Sequence, residues 1–136
     1  MAQRFVRAKR KIAEAGIPFE GPGPDACTER LEAILATIEV AYAKAYEDAA
    51  STSHHASFAE ETLHLARTLV EFLPTETDVL ALAATIHYAE ARRSARVDLR
   101  GRMIPLSEQD PTRWSRSLIA EGEALLEESP SKALFP

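Results

Sequence analysis

Between Gly16 and Pro24 the chain places three glycines and three prolines within nine residues. Proline lacks the amide that a helix or ladder needs, and glycine loses the most entropy on ordering, so regular structure has to stop there. The spacing therefore predicts three parts: a short segment over 1–15, a linker over 16–24, and a body over 25–136. A chain of 136 residues has room for about one domain. Charge divides at the same place. The first twelve residues hold five basic residues and no acid, whereas the whole chain carries 16 Lys+Arg against 21 Asp+Glu. Wound as a helix, Met1, Phe5, Ala8 and Ile12 share one stripe, and Arg4, Arg7 and Lys11 share another, flanked by Gln3 and Arg10. One face suits protein and the other suits something anionic, joined to a body that phosphate would repel. The plain alternative is an ordinary solvated basic face.

The body reads as helices. Hydrophobic residues at 46% and charged residues at 27% are ordinary for a domain that buries one modest core. A helix is expected from near Asp25 or Thr28 to about Ala50, with Leu31, Ile34, Leu35, Ile38, Tyr42, Ala45 and Ala49 on its apolar stripe. A polar break follows over 51–56. Ser57-Phe58-Ala59-Glu60 reads as a capping box that starts the next helix, which turns Phe58, Leu65, Ala66, Leu69 and Leu73 inward and stops at Pro74. Thr75 or Thr77 is the expected cap of a helix through about Ser94, with Val79, Leu82, Ala83 and Ile86 buried. Its alanines thin the flanks and permit close packing on more than one side. Over 97–106 the period changes, and Arg100-Gly101 between Val97 and Met103 predicts a short hairpin-like excursion. Asp110-Pro111 then reads as the N-cap and first-turn proline of a last helix running to about Glu128. The fold class expected is all-α, a helical bundle or repeat-like stack of antiparallel helix pairs.

Chemistry finds little footing. Glu61-Thr62-Leu63-His64 has the Glu-x-x-His spacing of carboxylate-bridged di-iron bundles, but no second such pair accompanies it, and Glu39 is the one further acid within a strongly apolar helix. His54-His55 falls in the polar break and His87 in a mostly buried helix, so structural histidines are the expectation and no metal site is assigned. There is no Gly-x-Ser-x-Gly, no Cys/His pairing and no phosphate-cradling glycine loop, so neither a catalytic residue nor a cofactor is expected and the chain does not read as an enzyme. Cys27, the single cysteine, can form no internal disulfide; it is read as a bystander, with a redox-sensing thiol as the alternative. No apolar run approaches the roughly 20 residues of a membrane span and no signal peptide opens the chain, which points to the cytoplasm.

Met1 to Ile12, followed by Ala15-Gly16-Ile17-Pro18-Phe19, resembles the last helix of region 4 in a group of extracytoplasmic-function sigma factors. The likeness continues through Ala91-Arg92-Arg93-Ser94-Ala95-Arg96-Val97-Asp98, Leu106 to Ser115, and Leu118-Ile119-Ala120-Glu121-Gly122. In that family the helix reads the −35 promoter element, and a long tetratricopeptide-like extension follows it. The resemblance implies that Gln3, Arg4, Arg7 and Lys11 face DNA in a full-length protein whose partners are RNA polymerase and promoter DNA. It also implies that this chain is the C-terminal extension with a remnant of region 4, incomplete as a DNA binder because a recognition helix needs its partner helix across the backbone. Where related extensions carry an aromatic-Asn-Glu-Gly-Tyr run, this chain has Tyr42-Ala43-Lys44-Ala45-Tyr46: the aromatics remain and the polar residues are gone.

A second polar concentration lies at Arg92, Arg93, Arg96 and Asp98, then Glu108, Gln109, Asp110, Arg113 and Trp114. Two readings stand. An arginine pairs with Asp110 or Glu108 and fixes the crossover between two helices, or Arg93, Arg96, Asp110, Arg113 and Trp114 line a groove for a partner's peptide or a ligand. The functional expectation is a regulatory or scaffolding portion of an alternative sigma factor acting through protein contacts. The other class is a free-standing helical binding module for a peptide or small ligand. A homodimer through the Met1-Phe5-Ala8-Ile12 stripe is a further expectation, since exposed apolar stripes tend to find a surface.

Overall fold

Five α-helices carry the computed structural model, which describes residues 2–16, 18, 21, 23–47 and 54–129, with the side chains of 2, 24 and 54–57 outside that description. They are α1 (Ala2–Glu14), α2 (Pro24–Glu47), α3 (His54–Phe72), α4 (Thr77–Ala91) and α5 (Arg116–Glu128). The chain divides into two units, residues 1–30 and 31–136, with α2 running across the division. In the first unit α1 ends as expected of glycine: Gly16 takes φ +60, and its amide reaches the Ala13 carbonyl at 3.3 Å. Every described side chain of α1 is exposed. Pro24 opens α2, where its missing amide costs nothing.

In the second unit the core is built from one face of each of three helices: Ile38, Tyr42 and Ala45 of α2, Ala59, Leu63 and Ala66 of α3, and Ala83, Ile86 and Ala89 of α4. Leu118 and Leu125 of α5 close it from the side. α4 keeps only a narrow solvent stripe, Asp78, Ala81 and Thr85. Val79, Leu80, Ala84, His87 and Glu90 are buried beside its core residues, as the run of alanines allowed. The approach of α5 to α4 is set by Gly122, where an added Cβ would stand 3.2 Å from the Tyr88 ring. Gly122→Leu is therefore expected to cost about 1–3 kcal/mol by overpacking, read as a lower urea midpoint at unchanged slope. Stability within error of the parent would mean that the crossing is looser than drawn.

The excursion over 97–106 is a hairpin held by one isolated antiparallel bridge, Val97 with Met103. Asp98 makes its turn: Oδ1 accepts from the amides of Arg100 at 2.8 Å and Arg102 at 2.9 Å, and Gly101 takes φ +76. The Arg102 amide, together with the Arg100 amide and the Arg102 side chain, holds the Asp98 carboxyl below its usual range against a smaller opposing effect of burial.

Several expectations need correction. α3 starts at His54 rather than at a Ser57 capping box, so Ser57 lies inside the helix. Its inward face is Ala59, Thr62, Leu63 and Ala66, and Phe58 and Leu65 are exposed, because the i, i+3, i+4, i+7 stripe that meets α2 and α4 lies roughly 80–100° round the helix from them. Ile34 of α2 is also exposed, although it stands one turn before buried Ile38, because it borders the open groove between α2 and α3. Neither Thr75 nor Thr77 caps α4; Glu76 holds the N-cap position with no side-chain hydrogen bond, and α4 ends at Ala91 before a 3-10 turn over Arg93–Ala95. Asp110 caps only a 3-10 turn, Pro111–Arg113, whereas Trp114 is extended and Ser115 caps α5 by accepting from the Leu118 amide. The Ser115 amide is tied to the Ala91 carbonyl at 2.8 Å, which fixes where the last helix can begin.

Candidate functional site

The most heavily buried ionic cluster of the body centres on Glu90. Its Oε1 accepts from the Tyr42 hydroxyl at 2.8 Å and from Arg96 Nη2 at 3.4 Å, and its Oε2 pairs with Arg93. Arg96 is 1% exposed, and its guanidinium lies 4.0 Å over the Tyr46 ring, a cation–π contact made stronger by exclusion of water. Glu60 of α3 reaches Arg93 at 3.6 Å. Among the described residues Arg96 Nε and Nη1 have no hydrogen-bond partner, so the charge of Arg96 is met by Glu90 and by the face of Tyr46. Burial pushes the Tyr42 phenol far above its usual range, with the Glu90 carboxylate adding to it, so Tyr42 stays a hydrogen-bond donor. This cluster joins α2, α3, α4 and the turn after it through charge rather than apolar packing.

The residues predicted from sequence are thus partly brought together. Arg93 and Arg96 share Glu90. Asp110 is not paired with either; its carboxylate is taken by the Thr112 hydroxyl at 2.7 Å and the Thr112 amide at 2.9 Å, which hold it below its usual range. The crossover is fixed instead by Ser94 Oγ donating to the Arg113 carbonyl and by the Ser115–Ala91 bond. The Arg113 side chain is exposed, and the half-buried Trp114 holds its indole Nε1 in the interior with no hydrogen-bond partner among the described residues. Gln109 is buried, its Nε2 donating to the Ile104 carbonyl at 3.0 Å. A groove open to a ligand at Arg96 is not what the structure shows, since that guanidinium is inside the body. Sequence reasoning missed Glu90, although it is an acid at the end of a largely apolar helix with three arginines in the next six residues. The Tyr42-Ala43-Lys44-Ala45-Tyr46 run keeps its aromatics for a visible reason: Tyr42 bonds Glu90 and Tyr46 underlies Arg96.

A second cluster sits between α3, α4 and α5. Buried His87 donates from Nδ1 to the Ala83 carbonyl at 2.6 Å, and its Nε2 lies 3.1 Å from Glu121, which also pairs with Arg67. Burial is the largest influence on the Glu121 carboxyl and acts to raise it, but the hydrogen bonds and charges of Arg67 and His87 together outweigh it, leaving the group below its usual range. Glu61, His64 and Glu39 are exposed, and the side chains of His54 and His55 lie outside the described residues. Among the described residues no group of three or more His, Cys, Asp or Glu is placed to hold a metal ion. No described helix is long and apolar enough to cross a membrane. Cys27 is exposed, its thiol 3.5 Å from the Gly23 carbonyl. Gln3, Arg4, Arg7 and Lys11 all stand exposed on α1.

The fold and the Glu90 cluster define a helical body whose buried polar residues tie its helices together. Residues 30–130 match a family of unknown function (DUF6596), and the chain belongs to that family. It is also similar to an uncharacterized protein (R00370) of Rhizobium meliloti (strain 1021), 33% identical over 130 residues, which is 95% of this chain. The chain spans 31% of that relative's length. No solved structure matches it.

Proposed function

We propose that this chain is the C-terminal part of an alternative sigma factor of the extracytoplasmic-function type, acting in the cytoplasm. In this reading α1 is the promoter-reading helix of region 4, and the body, related to tetratricopeptide repeats, is a non-enzymatic regulatory scaffold that works through protein contacts. The observation that carries the reading is α1 itself: a 13-residue helix with Gln3, Arg4, Arg7 and Lys11 exposed on it, set before a body rich in acid. The order of this helix and the family segment at 30–130 agrees with the resemblance, and a relative about three times as long leaves room for the remaining sigma regions. RNA polymerase and promoter DNA are the partners of the full-length protein in this reading. A free-standing helical binding module is the second reading, favoured by an apolar groove of about 430 Å³ between α2 and α3.

Arginine binds guanine edges bidentately, whereas a lysine on a phosphate adds salt-dependent affinity for any sequence. Joined to the missing sigma regions, Arg4→Ala is expected to narrow the difference in affinity between cognate and scrambled promoters, a cost of about 1–3 kcal/mol at one base position. Lys11→Ala should weaken both duplexes alike and reduce the salt slope by about one. The 136-residue chain alone should bind duplex weakly, without sequence preference, and release it at moderate salt. Gel-shift titration decides the matter: tight, selective binding by this chain alone overturns the incomplete-binder reading, and no effect of Arg4→Ala in the joined protein overturns the recognition-helix reading.

A further inference from the structure

Phe58, Leu65 and Phe72 recur at seven-residue intervals along α3, and all three are exposed, at 43%, 54% and 77%. Beside Leu65 runs the α2–α3 groove, whose apolar walls are Ile34 and Ile38 on one side and Leu65 and Leu69 on the other. A seven-residue spacing of apolar side chains is the pattern by which one helix presents a seam to another. In the first unit α1 carries the complementary pattern. Phe5, Ala8 and Ile12 fall on one stripe, with Phe5 69% and Ile12 57% exposed. The lengths agree as well: thirteen helical residues and the Phe58–Phe72 seam each extend roughly 20 Å at the α-helical rise. Charge favours the encounter. α1 holds five of the chain's 16 basic residues and one of its 21 acids, so the rest of the molecule is strongly acidic. Glu61 sits on the seam between Phe58 and Leu65, while Arg4 and Lys11 flank the α1 stripe on one side and Lys9 on the other.

We propose that α1 of one molecule docks in the α2–α3 groove of a second copy, Phe5 and Ile12 packing against Leu65, Ile34 and the neighbouring phenylalanines. Each copy offers one helix and one groove, so the exchange closes as a twofold dimer. Gln3, Arg7 and Arg10 point away from the stripe and stay open on the outer face of the docked helix. The dimer does not depend on the sigma-factor reading, and its test involves no DNA.

The experiment is sedimentation velocity on the full 136-residue chain from low to high micromolar concentration, at low and at raised salt. The expected result is a species of twice the 15.0 kDa monomer mass, weakened several-fold or more by salt. Leu65→Asp and Phe5→Asp should each weaken association at least tenfold while far-UV circular dichroism stays unchanged, because both side chains are exposed. Mixing the two variants is the decisive arm. The intact α1 of Leu65→Asp meets the intact groove of Phe5→Asp, so a heterodimer forms although neither variant pairs with itself. A monomer at every concentration overturns the proposal. So does a dimer indifferent to Leu65→Asp, or a mixture that fails to associate, as pairing of α1 with α1 would give.

Discussion

Replacing Glu90 by alanine is expected to remove about 3–5 kcal/mol of stability, the cost of leaving a buried charge without its counter-ion. Arg96 is the reason. Its guanidinium is inside the body, and Glu90 is the carboxylate that meets it. The same substitution takes the acceptor from Tyr42 and one partner from Arg93. Set against a total of roughly 5–15 kcal/mol for a domain, such a loss unfolds a large fraction of the molecules at moderate temperature. Tyr42→Phe touches the same cluster more lightly and should cost about 1 kcal/mol, the net worth of one hydrogen bond. Urea unfolding of both variants gives the comparison directly. The double variant Glu90→Leu with Arg96→Met should recover most of the loss, since a buried ion pair replaced by apolar groups of similar volume is often neutral or better. If Glu90→Ala costs less than Tyr42→Phe, Arg96 is not held by Glu90 and the cluster is misassigned.

The parts of this fold that were legible in the sequence are those fixed by local chemistry. Pro74 lies just past the end of α3 because it cannot continue a helix, and α1 ends before Gly16 while Pro24, at the far end of the glycine- and proline-rich stretch, opens α2. The hairpin near Asp98 was legible because the helical period fails there and a glycine supplies the turn. The start of α5 was not, because two capping residues follow one another. Asp110 and Ser115 both accept from an amide ahead of them, and only the tertiary tie from Ser115 to Ala91 decides which begins a helix. The Glu90 cluster lay further out of reach. Tyr42 and Glu90 are 48 residues apart, and nothing in either helix alone says that they meet. The arginines drew notice as a concentration of charge, and sequence reasoning looked for their partner ahead, at Asp110 or Glu108 or in an open groove, although Glu90 stands six residues before Arg96. Burial chose instead the acid already inside.

The inward face of α3 tests that same limit of local reasoning, through two leucines two residues apart. Leu63→Ala is expected to cost about 2–5 kcal/mol, because Leu63 is buried in the core with Ile38 and Ile86 and its removal leaves a cavity. Leu65→Ala should cost less than about 1 kcal/mol in dilute solution, because that side chain is half in water already. Periodicity alone ranks them the other way, since Phe58 and Leu65 begin a regular apolar series that Phe72 continues. What breaks the tie is size. Ala59, Thr62 and Ala66 let α3 approach its neighbours closely, and a face carrying phenylalanine at its ends would hold them apart. Chemical denaturation of the two variants at low micromolar concentration separates the alternatives, and a larger loss for Leu65→Ala would mean the helix is turned by about a quarter. Concentration adds a second reading. A ligand or partner that binds only the native state raises apparent stability by mass action, so a contribution from Leu65 that appears only at high protein concentration belongs to the surface between copies and not to the core.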